Sequence, residues 1–218
     1  MFFVNDQYYS KDDLQKQFER FDQMNVLNDC RKKRIAVCTK NVFEALALCL
    51  YIKEKGGSVV PIHAATPRDA AIRVAHKSSS HILLYEDFDS PILMINDREE
   101  EQGVLVQMSS GTTGEPKCLE RSWDDIQEEI ESYNKSLPVD KGTVSIIACP
   151  TSHSYGLISG VLTALERDIA PIILNNLNPK YVIKKLIETP NHLLYASPAF
   201  LHTLTKLSPQ DFFFQYVM

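Results

Sequence analysis

The sequence lacks an excess of positive charge, a long apolar run and a leader segment. The net charge is −5 over 218 residues, with one basic run at 31–34, so a nucleic-acid binder with a basic footprint is disfavoured. We interpret that run as a solvent-exposed segment leading into an apolar strand. No apolar stretch approaches the roughly 20 residues of a membrane helix. The amino terminus has neither a basic segment nor an apolar core, so no signal peptide is predicted.

The five cysteines include no C-x-x-C pair. Neither a zinc site nor a disulfide framework is therefore indicated, and the residues predict no metal-binding set. A reducing compartment, the cytoplasm, fits this cysteine usage best. Cys38 and Cys49 fall in apolar segments and are predicted to be small core residues.

Strand-like and helix-like segments alternate along the chain. Apolar residues make up 44% and charged residues 23%, which is typical of a globular protein. Predicted strands occupy 34–38, 58–62, 81–85, 91–95, 103–108, 143–149, 169–174 and 192–195. Predicted helices follow Ser10, Asn41, Pro67, Ser122, Asn178 and Ser197. The acidic connector 97–101 is predicted to be a solvated loop. This order predicts an α/β fold, with mostly parallel sheets and right-handed crossovers that place helices on both faces.

The segment Met108–Lys117 reads M-S-S-G-T-T-G-E-P-K and follows a predicted strand directly. Its hydroxyl groups, its flexible glycines and its ammonium group come from Ser109, Ser110, Gly111, Thr112, Thr113, Gly114 and Lys117. Hydroxyl and backbone donors together with one cation favour an anion, and a polyphosphate is the obvious one. A plain surface turn is the alternative, although a turn rarely needs so many donors. The common P-loop pattern is excluded, because Pro116 stands where its second glycine belongs and Cys118 follows the lysine.

The motif S-S-G-T-T-G-E-P-K resembles the phosphate loop of the adenylate-forming superfamily, which includes acyl-CoA synthetases and peptide-synthetase adenylation domains. Two further segments are similar to superfamily motifs: Leu48–Arg68 to a structural motif, and P-T-S-H-S-Y-G at Pro150–Gly156 to P-x-x-H-x-x-G. The segment Y-A-S-P-A-F-L at 195–201 is similar to a pocket-lining piece, so Tyr195, Pro198 and Leu201 either line an acyl pocket or belong to the core.

The resemblance implies that 109–114 bind the phosphates of ATP, that Lys117 assists catalysis there, and that His153 lies near the carboxylate of the substrate. From the residues alone, a loop histidine satisfied by backbone groups is the alternative for His153. The resemblance further implies Mg²⁺ and CoA as cofactor and second substrate, and ATP-dependent activation of a fatty or aryl acid through an acyl-adenylate. A non-catalytic phosphate-binding module and amino-acid adenylation remain alternatives.

The superfamily's adenine-binding and ribose-binding motifs and its small C-terminal domain are not found here. Residues 1–218 are therefore expected to be the N-terminal portion of the large AMP-binding domain, and inactive alone. We also expect self-association through the apolar segment 212–214.

Overall fold

The computed structural model describes residues 1–96, 99–109 and 117–218. These residues form two compact units. We call residues 11–127 the continuous unit, and residues 1–10 with 128–218 the split unit. Each unit contains one six-stranded sheet.

The strands, in chain order, are β1 (Phe2–Val4), β2 (Gln7–Tyr9), β3 (Arg34–Cys38), β4 (Ser58–Pro61), β5 (Ile82–Tyr85), β6 (Ile92–Leu93), β7 (Val104–Ser109), β8 (Lys117–Ser122), β9 (Val144–Ala148), β10 (Ile172–Ile173), β11 (His192–Ala196) and β12 (Tyr216–Val217). The α-helices are α1 (Lys11–Asp22), α2 (Val42–Glu54), α3 (Arg68–Lys77), α4 (Trp123–Ser136), α5 (Thr163–Glu166), α6 (Pro179–Glu188) and α7 (Pro198–Leu207). Two short 3₁₀ turns (Asn25–Leu27 and Cys30–Lys32) and a π-helix (Tyr155–Leu162) complete the elements in the described residues.

The continuous unit is built on the sheet β6–β5–β3–β4–β7–β8. Its four inner strands are parallel, whereas β6 and β8 run antiparallel to their neighbours. The chain passes from β3 to β4 on one side and then returns across β3 to reach β5. Right-handed crossovers in opposite directions put α2 and α3 on opposite faces of this sheet. On the α3 face, Ala71 and Ala75 pack with Ala36 and Cys38 in the core.

The split unit repeats this plan in the sheet β12–β11–β9–β10–β1–β2. The strands are parallel except for the hairpin of β1 and β2. Residues of α6 and α7 pack with Ile146 and Ala148 of β9. The π-helix covers the opposite face, where a Cβ on Gly160 would lie 2.7 Å from Ile147 Cγ1. The sheet is therefore covered on both faces, as expected for an α/β fold.

Side-chain caps confirm the predicted helix starts at Asn41, Ser122 and Ser197. The Asn41 side chain accepts the Glu44 N–H at 3.2 Å, and the Ser122 hydroxyl accepts the Asp125 N–H at 3.0 Å. Ser197 caps α7 in the same way. Cys38 and Cys49 are buried, as predicted for core residues. Among the described residues, no helix combines the length and apolar character that crossing a membrane requires.

Two predictions about charged segments are wrong. The basic run is not wholly solvent-exposed, since Arg34 is 2% exposed, and the connector 97–101 is not wholly solvated, since Glu100 is 8% exposed. These two residues form an ion pair with 2.9 Å between Arg34 Nη2 and Glu100 Oε2. Both predictions failed because a charged residue taken alone is expected to be exposed. Here each buried charge is stabilised by an opposite charge far away in the sequence.

Candidate functional site

The predicted phosphate loop begins at the carboxyl end of β7 and is followed at once by the antiparallel strand β8. The helix predicted from Ser122 is confirmed as α4, but β8, which lies between the loop and this helix, was not predicted. Ser110, Gly111, Thr112, Thr113 and Gly114 lie outside the described residues. The structure places the two flanking residues, Ser109 and Lys117, opposite each other in the β7–β8 ladder.

Ser109 and Lys117 therefore form the base of the loop. The Ser109 hydroxyl donates to the Lys117 carbonyl at 3.4 Å. The Lys117 side chain is exposed, and within the described part of the chain no carboxylate pairs with it. An exposed ammonium beside a hairpin base is suited to bind an anion held by the loop.

Cys118 follows Lys117 and lies opposite Met108 in the same ladder. Its Sγ is 3.4 Å from Met108 Sδ and 3.6 Å from the Lys77 carbonyl oxygen. Burial raises the pKa of the Cys118 thiol, so the group is neutral at neutral pH. Cys118 thus serves as a small packing residue on the inner face of β8 and adds no charge to the loop base.

The second predicted loop follows β9 in the split unit. β9 lies between β10 and β11, and the chain goes from β9 to β10 and then back across β9 to β11. The carboxyl ends of β9 and β11 therefore mark a topological switch point, which is where open α/β sheets bind ligands. His153 lies at this edge because it follows β9 by five residues.

The backbone of His153 is fixed while its ring is exposed. Its N–H donates to the Pro150 carbonyl at 3.3 Å, and its carbonyl accepts the Leu157 N–H at 2.9 Å. Gly156 permits this tight turn, because a Cβ there would lie 2.4 Å from the Pro150 oxygen. Backbone bonds thus define the turn, and the imidazole remains available as a hydrogen-bond partner for a ligand.

The groups around this turn are uncharged at neutral pH. Burial raises the pKa of the Cys149 thiol to about 12, and burial together with Cys149 raises the pKa of Tyr155 to about 12. The π-helix that follows is a rare conformation that often occurs at functional sites. Neither of these two side chains therefore adds a negative charge to the segment that carries His153.

Tyr195, Pro198 and Leu201 were predicted either to line an acyl pocket or to belong to the core, and the structure gives each of them a different position. Tyr195 is fully buried, and its hydroxyl is 3.0 Å from that of Tyr133. Pro198 starts α7, and Leu201 packs against the buried cluster of the split unit. The structure thus gives Tyr195 and Leu201 packing roles.

A cavity of about 340 Å³ lies in the continuous unit at the carboxyl ends of β3 and β5. It is lined by Arg20, Thr39, Lys40, Asn41, Glu44, Glu86, Asp87 and Phe88. Arg20 is paired with Glu44 at 3.2 Å and with Asp89 at 3.3 Å. The lining carries charges of both signs, and neither Ser109 nor Lys117 contributes to it.

The predicted site residues are divided between the units. Ser109 and Lys117 belong to the continuous unit and His153 to the split unit. The first arrangement is suited to an anion at the end of β7, and the second to a polar ligand at the end of β9.

The whole length of the chain is similar in sequence to part of a curated protein. It is 37% identical over 219 residues to a 3,4-dihydroxybenzoate–[aryl-carrier protein] ligase of Bacillus anthracis. The match covers 100% of this chain and 53% of the relative, so the chain spans about half the length of the curated relative it matches. No family model matches the chain.

Solved structures share the fold at low identity. O-succinylbenzoate coenzyme A synthetase (MenE) of Bacillus subtilis, in complex with ATP and magnesium, superimposes with a TM-score of 0.79 at 16% identity, over 100% of this chain and 50% of that one. The N-terminal domain of FACL13 from Mycobacterium tuberculosis gives 0.71 at 17% identity, over 89% and 57% of the two chains. These likenesses show the fold, which is that of the N-terminal region of adenylate-forming ligases.

Proposed function

The chain belongs to the adenylate-forming superfamily, and on this premise we propose that it is the N-terminal portion of an enzyme that activates an aryl carboxylic acid with ATP. The observation that carries the proposal is the β7–β8 hairpin, which brings Ser109 and Lys117 together at the two ends of the hydroxyl- and glycine-rich segment. The whole-length relationship to an aryl-acid ligase supports the same reaction class.

In the first half-reaction, a carboxylate oxygen attacks the α-phosphorus of ATP, and pyrophosphate leaves as the acyl-adenylate forms. ATP supplies the electrophilic phosphorus and the leaving group. The Lys117 ammonium stabilises the negative charge that builds up on the departing pyrophosphate. The hydroxyl and backbone donors of 109–114 hold the phosphates in position, so that the attack is effectively intramolecular. Among the described residues no cluster of His, Cys, Asp and Glu could hold a metal ion, so Mg²⁺ would bind with the phosphates of ATP and would supply a further counter-charge beside Lys117.

His153 has a different role in the proposal. Its exposed ring follows β9 at the switch point of the split unit, where a ligand is expected. An imidazole N–H donates one hydrogen bond, which is suited to orient a carboxylate. We therefore assign His153 to binding of the acid and Lys117 to the phosphates.

We propose an aryl acid because the curated relative is named for 3,4-dihydroxybenzoate and the MenE structures for o-succinylbenzoate. The acceptor of the acyl group is a thiol, carried either by CoA or by an aryl-carrier protein. The relative at 37% identity is named for a carrier protein, whereas MenE, at 16%, is a CoA synthetase. This difference favours the carrier protein as acceptor.

The test is acid-dependent exchange of labelled pyrophosphate into ATP, measured on this chain and on the longest product of its reading frame. Dihydroxybenzoates, benzoate, a fatty acid and an amino acid form the panel. Exchange that depends on a dihydroxybenzoate supports the proposal, and transfer assays with CoA and with an aryl-carrier protein then identify the acceptor. Exchange only with fatty or amino acids contradicts the aryl assignment.

A non-catalytic phosphate-binding module is the second candidate for the chain by itself, because the chain spans only 53% of its curated relative. Binding of magnesium pyrophosphate by both proteins, without exchange in either, would favour it. Exchange by the longer product would exclude it for the whole protein.

A further inference from the structure

A buried guanidinium lies at the amino end of β3, in the middle of the sheet of the continuous unit. Arg34 is 2% exposed and Glu100 8% exposed. Arg34 Nε donates to Glu100 Oε2 at 3.2 Å, and Nη2 donates to both carboxylate oxygens at 3.1 and 2.9 Å. This bidentate pair by itself balances the buried positive charge.

A second carboxylate nevertheless reaches the same guanidinium. Arg34 Nη1 donates to Glu120 Oε1 at 2.6 Å and to the Ser78 carbonyl at 2.7 Å. Glu120 lies on β8, and its side chain is 40% exposed. Since Glu100 already neutralises Arg34, the pair with Glu120 has another consequence, which is to connect β8 to the interior of the sheet.

The network also includes the strands between β3 and β8. The Ser58 hydroxyl, on β4, donates to Glu100 at 2.7 Å and accepts the Val104 N–H at the start of β7 at 3.1 Å. The Glu100 N–H donates to the Lys32 carbonyl at 3.1 Å. Arg34, on β3, therefore connects to the middle of β8 through Glu120. The carboxylate of Glu100 connects to the start of β7 through the Ser58 hydroxyl of β4.

β7 and β8 are the strands that lead into and out of the phosphate loop. Among the described strands, β8 lies at the edge of the sheet, so only β7 pairs with it. Glu120 is three residues from Lys117, a distance of about 10 Å along an extended strand. A contact that fixes Glu120 therefore limits the motion of Lys117 relative to Ser109.

We propose that Arg34 is a positioning residue for the phosphate loop: its pairs with Glu100 and Glu120 hold β7 and β8 so that Ser109 and Lys117 act on the same anion. This inference rests on the proposed function. Its own content is that a network centred on the amino end of β3, away from the loop, sets the affinity for the phosphates and leaves binding of the acid unchanged.

The test uses Glu120, because replacing Arg34 leaves Glu100 buried without a partner and risks unfolding. Glu120→Ala removes the tie to β8, whereas Glu120→Gln keeps an acceptor for the guanidinium. Leu119→Thr is the matched control, since Leu119 lies on the same strand and is 53% exposed. The protein is the longest product of the reading frame, assayed by pyrophosphate exchange and by amide hydrogen exchange of β7 and β8.

We expect Glu120→Ala to raise the KM for ATP about tenfold and the KM for the acid by less than about twofold. Amide exchange of 104–109 and 117–122 is expected to quicken while the rest of the sheet keeps its protection. Glu120→Gln is expected to lie closer to the wild type, and Leu119→Thr to match it. A merely structural role would lower the melting temperature and the active fraction without separating the two KM values.

Two results would overturn the inference in different ways. A wild-type protein without acid-dependent exchange would refute the proposed function, and the inference with it. An active wild type in which Glu120→Ala changes both KM values alike, or neither, would refute the inference alone.

Discussion

His192, the first residue of β11, is held in one protonation state by two backbone groups, and this makes a pH-dependent stability predictable. The ring is 1% exposed. Its Nδ1 lies 2.6 Å from the Thr189 carbonyl oxygen, which only accepts, so Nδ1 carries the proton. The Gln215 N–H donates to Nε2 at 3.3 Å, so Nε2 is an acceptor. The partners therefore require the neutral ring.

Protonation of Nε2 would place a second N–H donor opposite the Gln215 N–H and a positive charge in the interior. Burial is the main cause that lowers the pKa of His192 below its ordinary value of 6.5, and hydrogen bonds to backbone carbonyls oppose the shift. Between that lowered pKa and 6.5, the unfolded chain binds more protons than the folded chain. The free energy of unfolding therefore falls as the pH drops below about 6.5, by at most about 1.4 kcal/mol per pH unit.

The perturbation is His192→Gln, which cannot be protonated in this range. We expect it to cost about 2 kcal/mol at neutral pH, because a flexible amide does not keep both backbone hydrogen bonds of the ring and Phe212 loses the ring stacked on it. As the pH falls below 6.5, the wild type loses stability and the variant does not. The difference in stability between the two proteins should therefore shrink as the pH falls below 6.5.

The assay is urea unfolding of this chain between about pH 5 and pH 8, with the exposed residue His202 replaced by glutamine as the control. Because the chain has two units, unfolding is followed by signals from the split unit. NMR titration of the His192 ring gives its pKa directly. A difference that stays constant across this pH range, or a ring that titrates at or above 6.5, would refute the reasoning.

The remaining predictions concern the two site loops. Lys117→Ala is expected to slow adenylation by roughly a hundredfold and to spare transfer from preformed acyl-adenylate, because the lost charge acts on pyrophosphate; equal losses in both half-reactions would contradict that role. His153→Ala should raise the KM for the acid about tenfold and leave that for ATP unchanged, so kinetics unaltered for every acid would exclude it. Gly156→Ala should destabilise the protein by about 1–3 kcal/mol, since the new Cβ would meet the Pro150 carbonyl oxygen at 2.4 Å. Gly160→Ala should cost less, because the atom it meets is a side-chain carbon that can move, and equal melting temperatures for both variants would refute this comparison.

Local chemistry explains most of the elements that sequence reasoning predicted correctly. Asn41, Ser122 and Ser197 mark helix starts because each side chain satisfies the N–H group three residues further on, which needs no tertiary contact. The strand at 34–38 is predicted to the residue, because Ile35 and Val37 are β-branched residues in a short apolar run. The phosphate-loop motif is also local, because its donors are consecutive in the chain.

The strand β8 shows where local reasoning ends. Its sequence, K-C-L-E-R-S, has no apolar alternation, and most of its residues are exposed or half-buried. It is a strand because β7 lies beside it and offers six residues in register. Edge strands bury little surface, so their pattern carries little signal.

The sequence by itself thus determined the α/β alternation, the helix caps and the two loops that carry the candidate chemistry, because all of these depend on neighbours within a few residues. The tertiary structure decided which strands pair, and that Arg34 and Glu100, 66 residues apart, share a buried ion pair. It also decided that His192 is neutral and that His153 follows β9 at a switch point. These properties depend on which distant groups meet and how much water they exclude, and a local pattern contains neither quantity.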